Sequence, residues 1–261
     1  MDRYERLSTL LELLGQRGKV DVDDLAEEMA VSAATIRRDL DHLAAQQLLT
    51  RTRGGAVAHN VTYDLPLRYK TVRRAPEKER IARAAAGLAA RGAVVGLNGG
   101  TTTTEVARSL VVRPDLNASG DEPGLTIVTN ALNIANELVV RPTVKVVVTG
   151  GVARPQSFEL TGPLGTRILD EITLDIVFLG ADAIDPAQGA FAHNEGEASI
   201  NRLMAARARQ VVVVADSTKL GRHAFAQICP TATIDVLITD SDAPQDMVRM
   251  LESEGVTVKT V

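Results

Sequence analysis

One short segment combines the residue types that bind an anionic group. Residues 98–104 read Asn-Gly-Gly-Thr-Thr-Thr-Thr, follow an apolar run and precede a segment with helical spacing. Glycines permit a tight turn, neighbouring backbone N–H groups can converge on one anion, threonine hydroxyls add donors, and a helix N-terminus adds positive potential. These residues, which we name the glycine–threonine loop, predict a phosphate site; a plain strand–helix turn is the alternative.

Polar residues after other apolar runs extend the predicted site. In open α/β sheets, ligands bind beyond the C-terminal ends of the strands. Lys219 can neutralise a phosphate there, and Asn130 and Asp216 can exchange hydrogen bonds with sugar hydroxyls. Gly150 and Gly151 also close a strand, with a simple turn as the alternative. Weaker candidates are Gly180, Asp182, Glu195 and Glu197, and for Glu197 the alternative is a helix-start carboxylate.

A second chemical pattern is cationic. Thr35 and Arg38 are three residues apart, so on a helix they share a face, with Arg37 beside them. Arginine can bind guanine through two hydrogen bonds or hold a phosphate, and Ser32 and Thr35 can donate to phosphate. The alternative is a solvated helix face on a module that docks another protein.

The N-terminal sequence predicts three helices around this pattern. Leucines recur at spacings of three and four over residues 7–14, and we expect the first helix to end at Gly15 and Gly18. Asp21 is the expected N-cap of a second helix, and Ser32 is that of a third helix running to about Gln46.

A hairpin is predicted directly after these helices. Residues 50–57 switch towards period-two spacing around Gly54 and Gly55, and they carry Arg51 and Arg53. Three helices followed by such a hairpin form a winged helix-turn-helix, which places its third helix in the major groove of DNA. The glycine pair is expected to let the backbone approach the DNA closely.

The C-terminal part predicts a doubly wound, mostly parallel α/β domain. After Gly92, short β-branched runs alternate with helical segments. The runs are apolar throughout rather than alternating, as in strands that are covered on both faces. They span residues 94–97, 126–129, 144–149, 175–180, 211–215, 236–239 and 256–261.

The composition narrows the classes of function. The 261 residues are 45% apolar and 24% charged, which predicts a chain that folds around a sizeable core. A net charge of −4 does not itself indicate a nucleic-acid partner, so a local basic face would have to do so. Aromatic residues make up 3% of the chain, which argues against stacking of unpaired bases and favours recognition of duplex grooves.

Several kinds of site and location are not expected. The single cysteine, Cys229, excludes a disulfide framework and a cysteine-based zinc site, and we expect an inert buried thiol. His42, His59, His193 and His223 lack metal-ligand spacing, so no metal and no cofactor are predicted. No apolar run is long enough to span a membrane and no signal peptide is visible, which predicts a cytoplasmic protein.

The first 57 residues or so resemble the DeoR family of bacterial transcriptional regulators. The core of the resemblance is the "TIRRDL" segment at residues 35–40. It is joined by Leu25-Ala26, Val31-Ser32, Arg51 and Gly54-Gly55-Ala56. Arg53 departs from the family, in which many members carry histidine, but it keeps a basic group in the wing.

The resemblance implies a site in each part of the chain. Family members carry a C-terminal α/β domain similar to sugar-phosphate isomerases of the ribose-5-phosphate isomerase kind. The DNA-binding residues are then expected to be Ser32, Thr35, Arg37, Arg38, Arg51, Arg53, Gly54 and Gly55. The effector-binding residues are expected to be Asn98, Gly99, Gly100, Thr101, Thr102, Thr103, Thr104, Thr129, Asn130, Gly150, Gly151, Asp182, Glu195, Asp216 and Lys219. Asn98 departs from the aspartate that is common in the family, which leaves the identity of the sugar open.

We therefore predict a transcriptional regulator, a repressor of carbohydrate-metabolism genes, that is controlled by a phosphorylated sugar. Its expected parts are a DNA-binding domain at residues 1–58, a linker at 59–75, and a sensor and oligomerisation domain at 76–261. The expected partners are double-stranded operator DNA, a phosphorylated sugar and further copies of the chain in a dimer or tetramer. No membrane partner is expected.

Two alternatives compete with the regulator hypothesis. One is an isomerase-like enzyme that carries a DNA-binding domain, with Asp182 or Glu195 as a nominal base. Against it, the lysine-bearing triple-glycine loop of those isomerases has no counterpart, since Leu220 follows Lys219. We therefore predict no catalytic residues. The other alternative is a protein-docking module.

Overall fold

The computed structural model describes residues 2–46, 48–58, 66–70, 74–116 and 123–261. The chain divides into two compact units, Met1–Arg73 and Arg74–Val261. His59 and much of the predicted linker, namely residues 59–65 and 71–73, lie outside the described residues.

The N-terminal unit combines short helices with a three-stranded sheet. Its elements are α1 (Arg3–Arg17), β1 (Lys19–Asp21), α2 (Val22–Glu28), α3 (Ala33–Ala45), β2 (Leu49–Arg51), β3 (Gly55–Ala58) and α4 (Leu67–Lys70). The sheet is antiparallel, with β3 between β1 and β2. Three helices followed by this hairpin confirm the predicted winged helix-turn-helix.

Side-chain caps set most of the helix boundaries in this unit. Asp21 accepts a hydrogen bond from the Asp23 N–H and Ser32 accepts one from the Thr35 N–H, so both predicted N-caps are confirmed. The expected end of α1 at Gly15 is wrong, because the helix continues to Arg17 and ends at Gly18 in the left-handed conformation. A glycine within a helix costs about 1 kcal/mol, which the burial of the leucine stripe offsets.

The core of the N-terminal unit extends into the segment predicted to be a linker. Four of the five leucines of α1 are at most 2% exposed, and Tyr69 of α4 is buried with them. Ser8 Oγ donates to the Tyr69 carbonyl oxygen, and the Tyr69 hydroxyl donates to Gln46 Oε1 at 2.6 Å. Residues 66–70 of the predicted linker therefore belong to the N-terminal unit, while the exact domain boundaries stay a prediction.

The C-terminal unit alternates strands and helices. Its strands are β4 (Val94–Leu97), β5 (Leu125–Thr129), β6 (Val144–Val148), β7 (Val152–Ala153), β8 (Leu160–Thr161), β9 (Ile176–Leu179), β10 (Ala183–Asp185), β11 (Gly189–Ala192), β12 (Val211–Val214), β13 (Ala226–Cys229), β14 (Val236–Thr239) and β15 (Thr257–Thr260). Its α-helices are α5 (Ala75–Ala86), α6 (Thr101–Val111), α7 (Leu132–Leu138), α8 (Pro163–Asp170), α9 (Glu195–Arg207) and α10 (Gln245–Ser253). Three 3-10 turns lie at Pro114–Leu116, Ser217–Lys219 and Thr231–Thr233.

Seven strands form one parallel sheet in the order β15-β14-β12-β9-β4-β5-β6. One apolar cluster includes residues of α5, α6 and α7, and a second includes residues of α8, α9 and α10. All seven predicted strands are present, so the doubly wound α/β fold is confirmed. The strand order reverses between β4 and β9, and the loops after the strands share one edge of the sheet.

Two small antiparallel sheets were not predicted. Strands β10, β11 and β13 form one of them, and β7 pairs with β8 in the other. These strands have two to four residues each, too few to show a period in the sequence. None of the helices in the described ranges combines the length and the apolar composition that crossing a bilayer requires.

Candidate functional sites

The first turns of α3 present two arginines to solvent. Arg37 and Arg38 are exposed, and neither side chain bonds to any residue that the structure describes. Ile36 and Leu40 of the same helix are fully buried, as the predicted faces require. Ser32 and Thr35 join their hydroxyls at 2.9 Å beside these arginines. This end of α3 can therefore offer two cationic forks and two hydroxyls to one partner.

A buried ion pair holds the same helix in place. Asp39 follows the two arginines but points inward, with 3% of its surface exposed. Arg6 of α1 donates from Nε to its carboxylate at 2.6 Å, and Arg3 Nε lies 3.8 Å away. The orientation of the exposed arginines is thus fixed from the opposite face of the helix.

The wing residues divide between structural roles and exposure. Arg51 donates to the Asp41 carboxylate at 2.8 Å and to the Gly55 carbonyl oxygen, so it ties β2 to α3. Arg53 is exposed at the hairpin tip, as is Gly54. The expectation that Gly55 lets the backbone approach DNA stays a prediction, and the structure gives this glycine a packing role. Gly55 is buried, and a Cβ atom there would stand 1.9 Å from the Val20 carbonyl oxygen, so the glycine is required by the crossing of β1.

The glycine–threonine loop leads from β4 into α6, as predicted. Asn98 is buried and bridges to β9, because its Nδ2 donates to the Gly180 carbonyl oxygen and its Oδ1 accepts from the Gly180 N–H. The hydroxyls of Thr103 and Thr104 donate to the Gly100 carbonyl oxygen at 3.1 and 2.7 Å. The hydrogen bonds of these three side chains therefore stabilise the conformation of the loop.

The backbone of this loop keeps donors for a ligand. Gly100, with φ of 139°, is the N-cap of α6 and offers no side-chain acceptor. The first backbone N–H groups of a helix have no acceptor within that helix. In α6 these are the N–H groups of Thr101, Thr102 and Thr103, and none of them has an acceptor among the described residues. A phosphate at the start of α6 would therefore bind backbone amides rather than threonine hydroxyls.

The remaining predicted residues lie at neighbouring strand ends with differing orientations. Thr129 Oγ1 accepts from the Ala131 N–H, and Asp182 Oδ2 accepts from the His193 N–H. Asp216 is buried and caps the Ser217–Lys219 turn by accepting from Thr218, whereas Lys219 is half-buried.

The loop after β12 and the start of α9 lie at some remove from the glycine–threonine loop. Residues 216–219 follow β12, which is two strands away from β4, and Glu195 is exposed on the first turn of α9. Gly150 and Gly151 have φ of 79° and 128°, and a Cβ atom on Gly151 would clash with the Thr161 backbone. These two glycines fit the alternative of a required turn.

The structure adds three charged residues that the sequence did not indicate as one cluster. Glu159 is 4% exposed and lies on the loop at Gly99. Burial, followed by the nearby carboxylates of Glu197 and Asp182, raises the pKa of Glu159 to about 8. Arg154 Nη1 donates to Glu197 at 3.0 Å. Glu159 follows no predicted strand, so only the folded chain identifies it.

A second unpredicted cluster surrounds Arg74, the first residue of the C-terminal unit. Its Nη2 donates to Asp240 at 2.9 Å and to Asp242 at 2.7 Å, and it lies 3.5 Å from Ser217 Oγ. Asp240 is fully buried and accepts from the Ser217 N–H at 2.7 Å. Burial raises the pKa of Asp240, but hydrogen bonds from Ser217 and Asp242 and the charge of Arg74 outweigh it, so the pKa lies below its usual value. Asp240 directly follows a predicted strand, a signal that could have found it.

The remaining reactive side chains are accounted for in the fold. Cys229 is buried, as expected, and burial raises the pKa of its thiol to about 11. His42 bonds to Gln46, and His223 lies 3.5 Å from Asp185. The described residues contain no group of three or more potential metal ligands.

Comparisons with known proteins cover both units. The DeoR-like helix-turn-helix domain matches residues 6–62, and the DeoR C terminal sensor domain matches residues 73–241. The HTH-type transcriptional regulator GlpR of Haloferax volcanii is 37% identical over 255 residues, 97% of this chain and 96% of that protein. The glycerol-3-phosphate regulon repressor of Escherichia coli K12 is 31% identical over 259 residues, 99% of each chain. A ribose 5-phosphate isomerase from Methanocaldococcus jannaschii matches with a TM-score of 0.40 and 22% identity, covering 55% of this chain and 53% of that one.

Proposed function

We propose, on the premise that the chain belongs to the DeoR family of transcriptional regulators, that it represses carbohydrate-metabolism genes under the control of a phosphorylated sugar. The N-terminal unit binds operator DNA and the C-terminal unit binds the effector. A relative that is named as a glycerol-3-phosphate regulon repressor supports both the repression and a phosphorylated ligand. Operator binding also implies a cytoplasmic location.

The observation that carries the DNA-binding half is the exposure of Arg37 and Arg38 on a helix that is anchored through Asp39. In a winged helix-turn-helix, residues at the start of the third helix face the base edges. Arg37 and Arg38 therefore read bases or hold flanking phosphates, Ser32 and Thr35 contact phosphate, and Arg53 in the wing contacts the backbone. Arg51 acts indirectly, because it joins the wing to α3.

The unused backbone N–H groups at the start of α6 support the proposal that the C-terminal unit binds a phosphorylated effector. A phosphate accepts several backbone N–H bonds and is favoured by the helix dipole. We place it at Thr101, Thr102 and Thr103, with the sugar extending over the strand ends towards Asn130 and Asp182. Lys219 supplies a cation from the loop after β12. The remaining predicted residues of this edge shape it rather than contact the ligand, namely Asn98, Thr104, Thr129 and Asp216.

Two copies of the chain act together in this proposal. One winged helix contacts too few base pairs for strong specificity, so a dimer or tetramer would bind a repeated or palindromic operator. Effector control requires that the sugar phosphate favour one of two arrangements of the copies, and operator DNA then weakens effector binding by the same factor.

We propose no catalytic role for this protein. The isomerase alternative requires a base placed over a sugar carbon. The lysine-bearing triple-glycine loop of such isomerases has no counterpart here, since Leu220 follows Lys219. Purified protein is expected to show no aldose–ketose turnover with any sugar phosphate that it binds.

Selection from a random duplex library tests the DNA-binding half and identifies the operator sequence in the same step. The full chain should enrich one motif, repeated with two-fold or direct symmetry. The double variant Arg37→Ala with Arg38→Ala should enrich none, although it folds with an unchanged circular dichroism spectrum. Enrichment of the same motif by both proteins would favour the protein-docking module.

A further inference from the structure

The carboxyl group of Glu159 lies directly on the glycine–threonine loop. A Cβ atom on Gly99 would stand 2.3 Å from Glu159 Cγ and 2.6 Å from its Oε1, so only glycine fits beneath this side chain. An acidic group of the protein is therefore already packed against the backbone of the loop that follows β4.

The backbone on either side of Glu159 is tied to the end of β5. The Leu160 N–H donates to the Asn130 carbonyl oxygen at 2.7 Å, and the Leu132 N–H donates to that of Phe158 at 2.9 Å. The Arg154 N–H donates to the Glu159 carbonyl oxygen, which closes residues 154–159 into a tight turn, named here the Glu159 loop. Phe158 holds a left-handed φ of 61°, a conformation that bulky residues rarely adopt.

Burial of the Glu159 side chain at this position costs free energy. Glu159 is almost completely buried, faces Asp182 and Glu197, and receives a side-chain hydrogen bond from Asn130 Nδ2 at 2.8 Å. The Asn130 side chain is itself fully buried, and its Oδ1 has no partner within the described residues. The buried polar groups beside the loop are therefore incompletely satisfied by one another.

These contacts mark the site as one that a different anion can fill. The amides at the start of α6, those of Thr101, Thr102 and Thr103, are unused, while the Glu159 carboxyl group lies against the neighbouring Gly99. The Glu159 carboxyl group occupies the space over Gly99, so a phosphate that binds there has to compete with it.

We propose that Glu159 is an internal ligand of the glycine–threonine loop, and that a phosphate-bearing effector binds by displacing it. This inference rests on the proposed effector site. Displacement clears the space over Gly99 for the phosphate, returns the carboxyl group to water and releases the Glu159 loop from the end of β5. The Glu159 loop is then the first part of the chain to change conformation when the effector arrives.

Removal of the carboxyl group tests the proposal with a simple probe. Binding of inorganic phosphate to the full chain is measured by calorimetry for the wild type, for Glu159→Ala and for Glu252→Ala, which removes an exposed glutamate from α10. The dissociation constant should fall at least about tenfold in Glu159→Ala, because the competitor is gone, and should not change in Glu252→Ala. Equal or weaker phosphate binding in Glu159→Ala, or binding by none of the proteins, would overturn the proposal.

A measurement on the wild type covers the case in which Glu159→Ala does not fold. Amide hydrogen exchange of residues 154–161 should become faster when phosphate is added, while exchange at the start of α6 slows. Slower exchange in both segments would mean that the Glu159 loop closes over the anion, contrary to displacement. Operator selection by the same preparation separates this result from a failure of the proposed DNA-binding function.

Discussion

Arg6 on α1 donates a 2.6 Å hydrogen bond to the buried carboxylate of Asp39 on α3. Asp39 follows directly after Arg37 and Arg38, so the helix that is proposed to read DNA is anchored by the residue next to the reading pair. Asp39 and the two arginines point to opposite faces of α3. The ion pair of Asp39 therefore fixes the orientation of the helix while Arg37 and Arg38 stay in solvent.

Loss of this anchor should lower both stability and operator affinity. Asp39→Asn leaves the Arg6 guanidinium, whose side chain is 13% exposed, without its carboxylate. The free energy of unfolding should fall by about 3 kcal/mol, as for other broken buried pairs. Urea unfolding followed by circular dichroism measures the change. Asp41→Asn is the control, since Asp41 is 64% exposed and its pair with Arg51 should contribute less than ~1 kcal/mol. Equal effects of the two variants would refute the anchoring role.

The two exposed arginines should differ from other surface arginines in their effect on DNA. Arg37→Ala and Arg38→Ala should each weaken binding to the selected operator by about 1–3 kcal/mol, with little change in stability. Arg249→Ala, which removes an exposed arginine from α10, is the matched control and should leave affinity unchanged. Fluorescence anisotropy over a range of salt concentrations measures both the affinity and the salt slope. Weakening of operator binding by Arg249→Ala as large as that by Arg37→Ala or Arg38→Ala would contradict a specific role of these two arginines.

Stability should depend on pH through Glu159. Its pKa is about 8 in the fold and 4.5 ordinarily, so above pH 4.5 the unfolded chain releases a proton that the folded chain retains. The contribution is present in full below pH 4.5 and is lost as the pH rises towards 8. Glu159→Gln removes it, so the variant should gain stability relative to the wild type by about 1.4 kcal/mol per pH unit within this window. Denaturant unfolding at about pH 5 and pH 7 measures the difference, and a difference that is independent of pH would contradict it.

Arg74 should matter for both the fold and the effector response. Arg74→Ala leaves the fully buried Asp240 without its guanidinium and should lower the free energy of unfolding by about 3 kcal/mol. Because Asp240 also holds the Ser217 N–H, the loop that carries Lys219 should loosen, and a higher effector concentration should be needed to change operator binding. Arg91→Ala removes an exposed arginine of the same unit as a control. An unchanged effector response in Arg74→Ala would rule out this connection.

Local patterns in the sequence predict most of the fold. The seven core strands were predictable because apolar runs such as residues 211–215 are buried on both faces, and the caps at Asp21 and Ser32 were predictable because they depend on residues two or three positions away. The end of α1 was not predictable, since the free-energy cost of Gly15 within the helix is offset by contacts between distant residues.

The candidate sites were predictable only where a motif carries them. Arg37 and Arg38 lie in a motif, as does the glycine–threonine loop. The partner of Gly99, however, is Glu159, which is 60 positions away and reaches the loop through a pairing with the end of β5. Nothing in the residues around Glu159 indicates that pairing. The packing role of Gly55 could not be predicted for the same reason, because its contact is with Val20 on another strand.

The most direct test of the account is a titration of the operator complex with sugar phosphates. The full chain on its selected operator is titrated with a panel of phosphorylated sugars and with the same sugars lacking phosphate. At least one phosphorylated compound should change operator affinity by about 5–150-fold, the usual range of allosteric coupling, while its unphosphorylated counterpart has no effect. Equal responses to both forms of the sugar, or a response to neither across the panel, would contradict control by an anion at the start of α6.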